Sequence, residues 1–351
     1  MKNNGIKVLD DQKLMEEIAK DQKIRTAISR KDHFWFFNIY FSHYLIYPPA
    51  LFHKEMFELS QRDDLRLIAI MAFRGSGKST IMNLSYALWS ILGKFERKFV
   101  LIVSETQSQA EVHFSDILHE LKTNELLSAD LGPFEETREP YSVLLKNLNA
   151  KIMFVYRGQT IRGMRHGPHR PDLIIIDDIE DSWSVQSELV RDTTYEWFET
   201  EIIPAGNSDT TIVILGNLLH EDSFLMRIRE NINSGKVSGI FKAYPLLDDL
   251  NQNLWLEKFT DENVKQLKKN NLAWKKEYLL KLEKTVTTII DLLDLTEQVS
   301  LDKKNSQIKK TVRLGKYVIS APITECYDLG KIDKILDEIE NADRAEANHP
   351  P

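Results

Sequence analysis

The chain has 351 residues, 42% of them apolar, and 46 Lys and Arg against 53 Asp and Glu give a net charge of −7. At about 150 residues per domain this means two domains at most, or one large domain with an appendage, and the apolar content excludes global disorder. The charge excludes a general basic field for nucleic acid, so any such contact must be local, and the single Cys326 excludes a disulfide framework and fits a reducing compartment.

The N-terminus, MKNNGIKVLDDQK, is polar and lacks the apolar centre of a signal peptide. Residues 7–31 are charged and helix-permissive. The aromatic run FWFFNIYFSHYLIYPP (34–49) is broken by Asn, Ser and two prolines and is too short to cross about 30 Å of hydrocarbon, so the expectation is a soluble intracellular protein. LFHKEMFELSQ then reads as an amphipathic helix. Five short runs follow that are too apolar for half-exposed strands: RLIAIMAF (66–73), FVLIVSE (99–105), AKIMFVY (150–156), DLIIIDD (172–178) and TTIVILGN (210–217). Helical stretches at 81–92 and 109–124 lie between them. Continuous apolar strands alternating with helices predict an α/β fold, a mainly parallel central sheet covered by helices on both faces. From about residue 245 the pattern changes to a charged helical stretch (261–284), one strand-like run KYVISAPI (316–323) and a terminal acidic helix over DLGKIDKILDEIENADR. The division expected is 1–245 as the main domain, with 1–50 its helical and aromatic N-terminal segment, 246–290 as a lid or linker, and 291–351 as a divergent tail.

The strongest chemical signal is AFRGSGKST (72–80), which follows an apolar strand and opens a helix, the context expected of a phosphate-binding loop. Such a loop wraps its N–H groups around a phosphate and needs residues without side chains where the chain turns, here Gly75 and Gly77. Arg74, Gly75, Ser76, Gly77, Lys78, Ser79 and Thr80 are the nucleotide-binding candidates. Lys78 is suited to the β- and γ-phosphates of ATP, the Ser79 hydroxyl to Mg²⁺, and the helix opening at Thr80 adds its N-terminal dipole. Ala72 stands where such loops usually begin with glycine.

LIIIDDIED (173–181) places Asp177, Asp178, Glu180 and Asp181 just beyond a buried strand, a clustering that is costly without a cation nearby. Asp177 is the candidate Mg²⁺ partner. Asp178 or Glu180 is the candidate general base for the attacking water, and the residues alone do not choose between them. The strands FVLIVSETQSQA and TTIVILGNLLHED end in small polar residues at the expected C-terminal edge of the sheet, where ligands of open α/β sheets collect. Asn217 is placed either to sense the γ-phosphate or to cap a loop. His220 and Asp222, near a helix start, read as caps before ligands.

Together these segments resemble the large subunit of tailed-bacteriophage terminases, the ATPase that drives DNA into the capsid. The resemblance rests on Arg74 within the loop, on SETQSQAEVHFSDILHEL, on YRGQTIRGMRHGPHRPDLIIIDDIED (156–181) with its IRG-x-R-x-G-x-x-RPDL core, on ILGNLLHEDSF and on YPLLDDLNQNLWLEKFTDENVKQLK, and spans roughly 34–285. It implies a helicase-like P-loop NTPase core with extra strands between the two phosphate motifs, and adenine seated near Pro49, Phe52 and His53. It implies a coupling position at Gly216-Asn217. Arg74 would contact the γ-phosphate in cis, with Arg162 or Arg165 able to act instead, within the subunit or on a neighbour's nucleotide. The partners implied are double-stranded DNA, a terminase small subunit and a portal protein, in a homo-oligomeric ring in the host cytoplasm, with no membrane. The family's C-terminal nuclease domain has no counterpart in the 66 residues that follow 285, where the strand-like run carries no acidic residue and 291–351 holds 12 acidic and 9 basic residues. The expectation is therefore the motor portion without nuclease activity. The alternatives are another P-loop nucleic-acid remodelling ATPase or helicase, and a truncated fragment acting only as a binding module.

Overall fold

The computed structural model describes residues 18, 20–44, 46–135, 141–270 and 274–281, together with the backbone of 136–139, 308–314 and 317–323. All five expected runs are strands of one sheet: β1 (Leu67–Ala72), β2 (Phe99–Ser104), β5 (Ala150–Tyr156), β6 (Leu173–Asp177) and β7 (Thr211–Gly216). Three further strands join them, β3 (Glu136–Glu139), β4 (Ser142–Leu145) and β8 (Ile240–Tyr244), in the order β3-β4-β5-β2-β6-β7-β1-β8. Pairing is parallel from β5 through to β8 and antiparallel only among β3, β4 and β5. The three unexpected strands are short, and ETRE and IFKAY lack apolar runs. Two of them, β3 and β8, are the edges of the sheet, where one side of the ladder needs no buried partner.

Alternate residues of each central strand enter opposite cores, as the period of two requires. Ile68, Ile70, Val100, Ile102, Ile175 and Val213 pack with the aromatic N-terminal segment, whereas Ala69, Met71, Leu101, Val103, Ile174 and Ile214 form the other core. On the first face, all eight residues of the helix His33–Tyr40 are buried. Asp32 starts that helix by accepting the Trp35 N–H at 3.1 Å. Beside it lie Leu51–Ser60, the helix that begins with π-helical turns at Thr80–Tyr86 and continues as Ala87–Leu92, and Gln107–Thr123. Thr106 and Gln109 form a capping box at the start of the last of these. The second face is covered by Glu188–Trp197 and Phe224–Asn233.

Beyond the sheet, the expected helical stretch 261–284 is a shorter helix, Asp261–Lys268, and π-helical turns at Trp274–Tyr278. Leu246 N donates to Tyr278 O at 2.7 Å and Trp255 Nε1 to Pro48 O at 2.8 Å, so this segment is bonded to the sheet's end and to the N-terminal region. The expected strand at 316–323 is β10 (Tyr317–Ile323), antiparallel to β9 (Ile308–Leu314). The expected terminal helix lies outside the described residues.

Register decides where the site forms. Ser104 pairs with Asp177, Asp177 with Leu215, and Met71 with Gly216, so the C-terminal ends of β2, β6, β7 and β1 lie side by side along one edge.

Candidate active site

The phosphate-loop sequence leaves β1 through two left-handed glycines, Gly75 (φ +79°) and Gly77 (φ +85°). A side chain at either position is strained whatever the space around it. His53 braces the loop from outside. Its Nδ1 accepts from Ala50 N at 2.8 Å, so Nε2 carries the proton and donates to Ser76 O at 2.6 Å. Burial lowers its pKa to about 4 despite these bonds, and the ring is neutral at physiological pH.

Lys78 is buried, and its ammonium lies 3.3 Å from Asp178 Oδ2 and 3.3 Å from Asn217 Oδ1. The loop, the end of β6 and the end of β7 thus converge on one cation, although Lys78 and Asn217 stand 139 residues apart. Asp178 adopts φ +43°, a conformation that costs a non-glycine residue of order 1–3 kcal/mol and must be held by its surroundings. Its N–H donates to Leu215 O at 3.1 Å. Crowding at this edge raises its carboxyl to about 6, through desolvation first and the charge of Asp177 second, against the pull of Lys78.

Asp177 faces the helix that follows the loop. Its Oδ2 accepts from Asn83 Nδ2 at 2.6 Å and lies 3.5 Å from His113 Nε2, while its buried Oδ1 has no hydrogen-bond partner. Ser79, Thr80, Asn83, His113 and Asp116 line a cavity of about 90 Å³. Among the described residues no group of three or more His, Cys, Asp or Glu could hold a metal. The donor set nonetheless fits Mg²⁺, which keeps several waters and takes one or two protein oxygens beside those of a phosphate. Ser79 and the orphan Oδ1 of Asp177 are the oxygens that would hold it.

The other expected residues lie elsewhere. Glu180 does not join the Lys78 cluster; its Oε2 accepts the Phe224 N–H at 2.7 Å and so caps the helix Phe224–Asn233, and burial raises its pKa to about 7. Arg74 is turned outward, its side chain 69% exposed and 3.2 Å from Glu277 Oε2, with its backbone N–H on Glu277 O at 2.9 Å. Arg162 is exposed; its N–H and that of Ile161 donate to Glu201 Oε2 at 3.0 Å, which anchors the loop and leaves the guanidinium outside. Arg165 is exposed as well. His220 Nδ1 accepts from Asp222 N at 3.0 Å, and Asp222 is ion-paired with Arg191 and Arg227, which holds its pKa near 2; neither caps the helix Phe224–Asn233 as the sequence suggested, the Phe224 N–H being taken by Glu180.

Between the aromatic segment and the residues beyond 245 lies a cavity of about 200 Å³ that touches Gly77 and Thr80, with Tyr47, Pro49, His53 and Trp255 on its walls. Phe52 stands behind this wall, packed on His53, Phe73 and Tyr244. Three residues escape sequence reasoning. Asn83 carried no motif, although it sits one helical turn beyond Ser79, and His113 lay within the SETQSQAEVHFSDILHEL segment without a role assigned to it. Glu105, just past β2, is nearly buried beside Arg157 (3.7 Å), with its pKa raised to about 7 by burial and by Asp181. Its only signal was a charged residue directly after an apolar run.

The sheet is of the α/β kind, with β7 inserted between the strand β1 that precedes the glycine turn and the acidic strand β6. No protein-family model and no curated protein matches the sequence. Among solved structures, the chain is similar to an ATPase-domain variant of the Thermus phage P74-26 large terminase, at 16% identity and TM-score 0.42 over 67% of this chain and 94% of that one. It is similar to the HK97 bacteriophage large terminase at 10% identity and TM-score 0.41, over 74% of this chain and 51% of that one. It is also similar to the large terminase of a thermophilic bacteriophage in complex with ADP, at 10% identity and TM-score 0.42, over 62% and 48% of the two chains. The chain thus spans about half the length of these last two proteins.

Proposed function

We propose that this chain hydrolyses ATP and, as the ATPase part of a terminase large subunit, drives double-stranded DNA into a procapsid. The observation that carries the ATPase reading is the convergence of Lys78, Asp178 and Asn217 at the edge where β1, β6 and β7 end. The DNA-packaging reading rests on the terminase-like motifs of the sequence.

In this reading the N–H groups of the Gly75–Lys78 turn and the Lys78 ammonium bind the β- and γ-phosphates, and the base enters the cavity between Tyr47, Pro49, His53 and Trp255. Mg²⁺, held by Ser79 and Asp177, supplies neutralisation of the phosphate charge. Asp178 rather than Glu180 orients the water, because Asp178 stands beside Lys78 whereas Glu180 is engaged as a helix cap. Asp178 takes the proton as the water oxygen bonds to the γ-phosphorus and the bond to the β–γ bridging oxygen breaks, leaving ADP and phosphate. Arg74 would reach the γ-phosphate only after exchanging its contact with Glu277, and Arg162 or Arg165 is exposed for a neighbour's nucleotide. Contacts to the DNA backbone suffice for a motor that must accept every sequence. The small subunit, the portal and further copies of the chain in a ring are its partners in this reading, and its place of action is the host cytoplasm. No described helix is long and apolar enough to cross a membrane.

Lys78→Ala tests the site: phosphate release should fall to background with the circular dichroism spectrum unchanged. Normal turnover in that variant refutes the assignment. DNA-stimulated hydrolysis without strand separation, and DNA protected from nuclease when procapsids are added, test the packaging reading against a helicase.

A further inference from the structure

Lys258 lies 183 residues beyond Gly75, yet its ammonium donates to Gly75 O at 2.7 Å. It stands 4.7 Å from the ring centre of Trp255 and 5.4 Å from that of Phe259. Trp255 is fixed by its bond to Pro48 O and meets His53 edge-on at 4.5 Å, and His53 in turn holds Ser76 O. The phosphate loop is therefore gripped on two successive carbonyls, Gly75 and Ser76, by side chains from segments before and after the sheet. Lys258 also lines the cavity that touches Gly77 and Thr80.

Among the described residues the charge on Lys258 is not matched by a carboxylate. One of its three N–H donors is used by Gly75 O, and burial lowers its pKa. Lys78, by contrast, already has Asp178 and Asn217. A half-buried ammonium without a counter-ion, touching a loop whose turns suit an anion, is placed to take one. We propose that Lys258 is a second nucleotide-binding cation, supplied by the segment after the sheet, which bonds a phosphate oxygen of the nucleotide beside Gly75. This rests on the reading of the loop as an ATP site.

The experiment compares the full chain with its K258M, K258R and K78A variants, using calorimetric titration with ADP and with a non-hydrolysable ATP analogue, and ligand-observed NMR with adenosine. K258M should weaken ADP and the analogue about tenfold or more, the scale of one charge-assisted hydrogen bond, leave adenosine unchanged, and be largely rescued in K258R. Loss of less than about threefold for ADP overturns the proposal. So does an equal loss for adenosine, since Lys258 would then only staple Trp255 to the cavity. Failure of the underlying reading looks different: the unaltered chain would bind neither nucleotide, or K78A would bind both as well as the unaltered chain does. Melting curves of the variants establish that each is folded.

Discussion

Glu180→Gln separates the two carboxylates that the sequence leaves equivalent. Glu180 is nearly buried, with Oε2 on the Phe224 N–H and Oε1 without a partner. Burial lifts its pKa from 4.5 to about 7. A carboxyl whose folded-state pKa is raised holds its proton more tightly in the folded protein than in the unfolded chain. Its contribution to stability is complete below the unfolded value and is lost as pH rises through the folded one. The rise from 4.5 to about 7 corresponds to about 3 kcal/mol, lost between roughly pH 4.5 and 7. Glutamine retains the acceptor for Phe224 and cannot ionise. Any fixed cost of its amide is the same at both pH values, so the quantity to measure is the stability difference between variant and parent at pH 8 minus that at pH 5. It should favour the variant by about 2.5 kcal/mol in urea titrations, or by about 4 °C in melting temperature. Glu105 is shifted in the same direction and slopes the parent's own curve, but it is common to both proteins and cancels. Phosphate release should persist in the variant. A stability difference that does not change with pH refutes the burial argument, and a folded Glu180→Gln protein without turnover refutes Asp178 as the water-orienting group.

Further outcomes follow from the same geometry. Asp178→Asn should lose at least about a hundredfold in turnover, the scale of general-base catalysis, while still binding ADP by calorimetry; turnover within tenfold of the parent removes it from the mechanism. His53→Ala leaves Ser76 O and Ala50 N without their bonds and should lower stability by about 1–3 kcal/mol in urea titrations, with weaker nucleotide binding. Gly77→Ala places a side chain at φ +85° and 3.6 Å from His53 Nε2, and should abolish nucleotide binding with a stability loss of about 1–2 kcal/mol by thermal denaturation. Chelation of Mg²⁺ should stop hydrolysis without altering the circular dichroism spectrum, since no metal ligand is needed to complete the core.

The sequence by itself determined the sheet's interior and the glycine-bearing turn after β1, because both are local. A strand buried on two faces is apolar along its run, as in LIAIMA and in the LIII that precedes Asp177, and a chain that turns left-handed favours glycine there, as at Gly75 and Gly77. The edge strands β3 and β8 carried no such run, for one side of an edge ladder faces solvent or loops. The tertiary structure alone decided which charged groups meet. Lys78 finds Asp178 and Asn217, Asp177 finds Asn83 and His113, Glu180 becomes a helix cap and Arg74 turns to Glu277. Those pairings depend on strand order and register, which bring the ends of β1, β6 and β7 together although Lys78 and Asn217 stand 139 residues apart. A charged side chain's partner is set by that long-range geometry, whereas an apolar residue needs only to be inside.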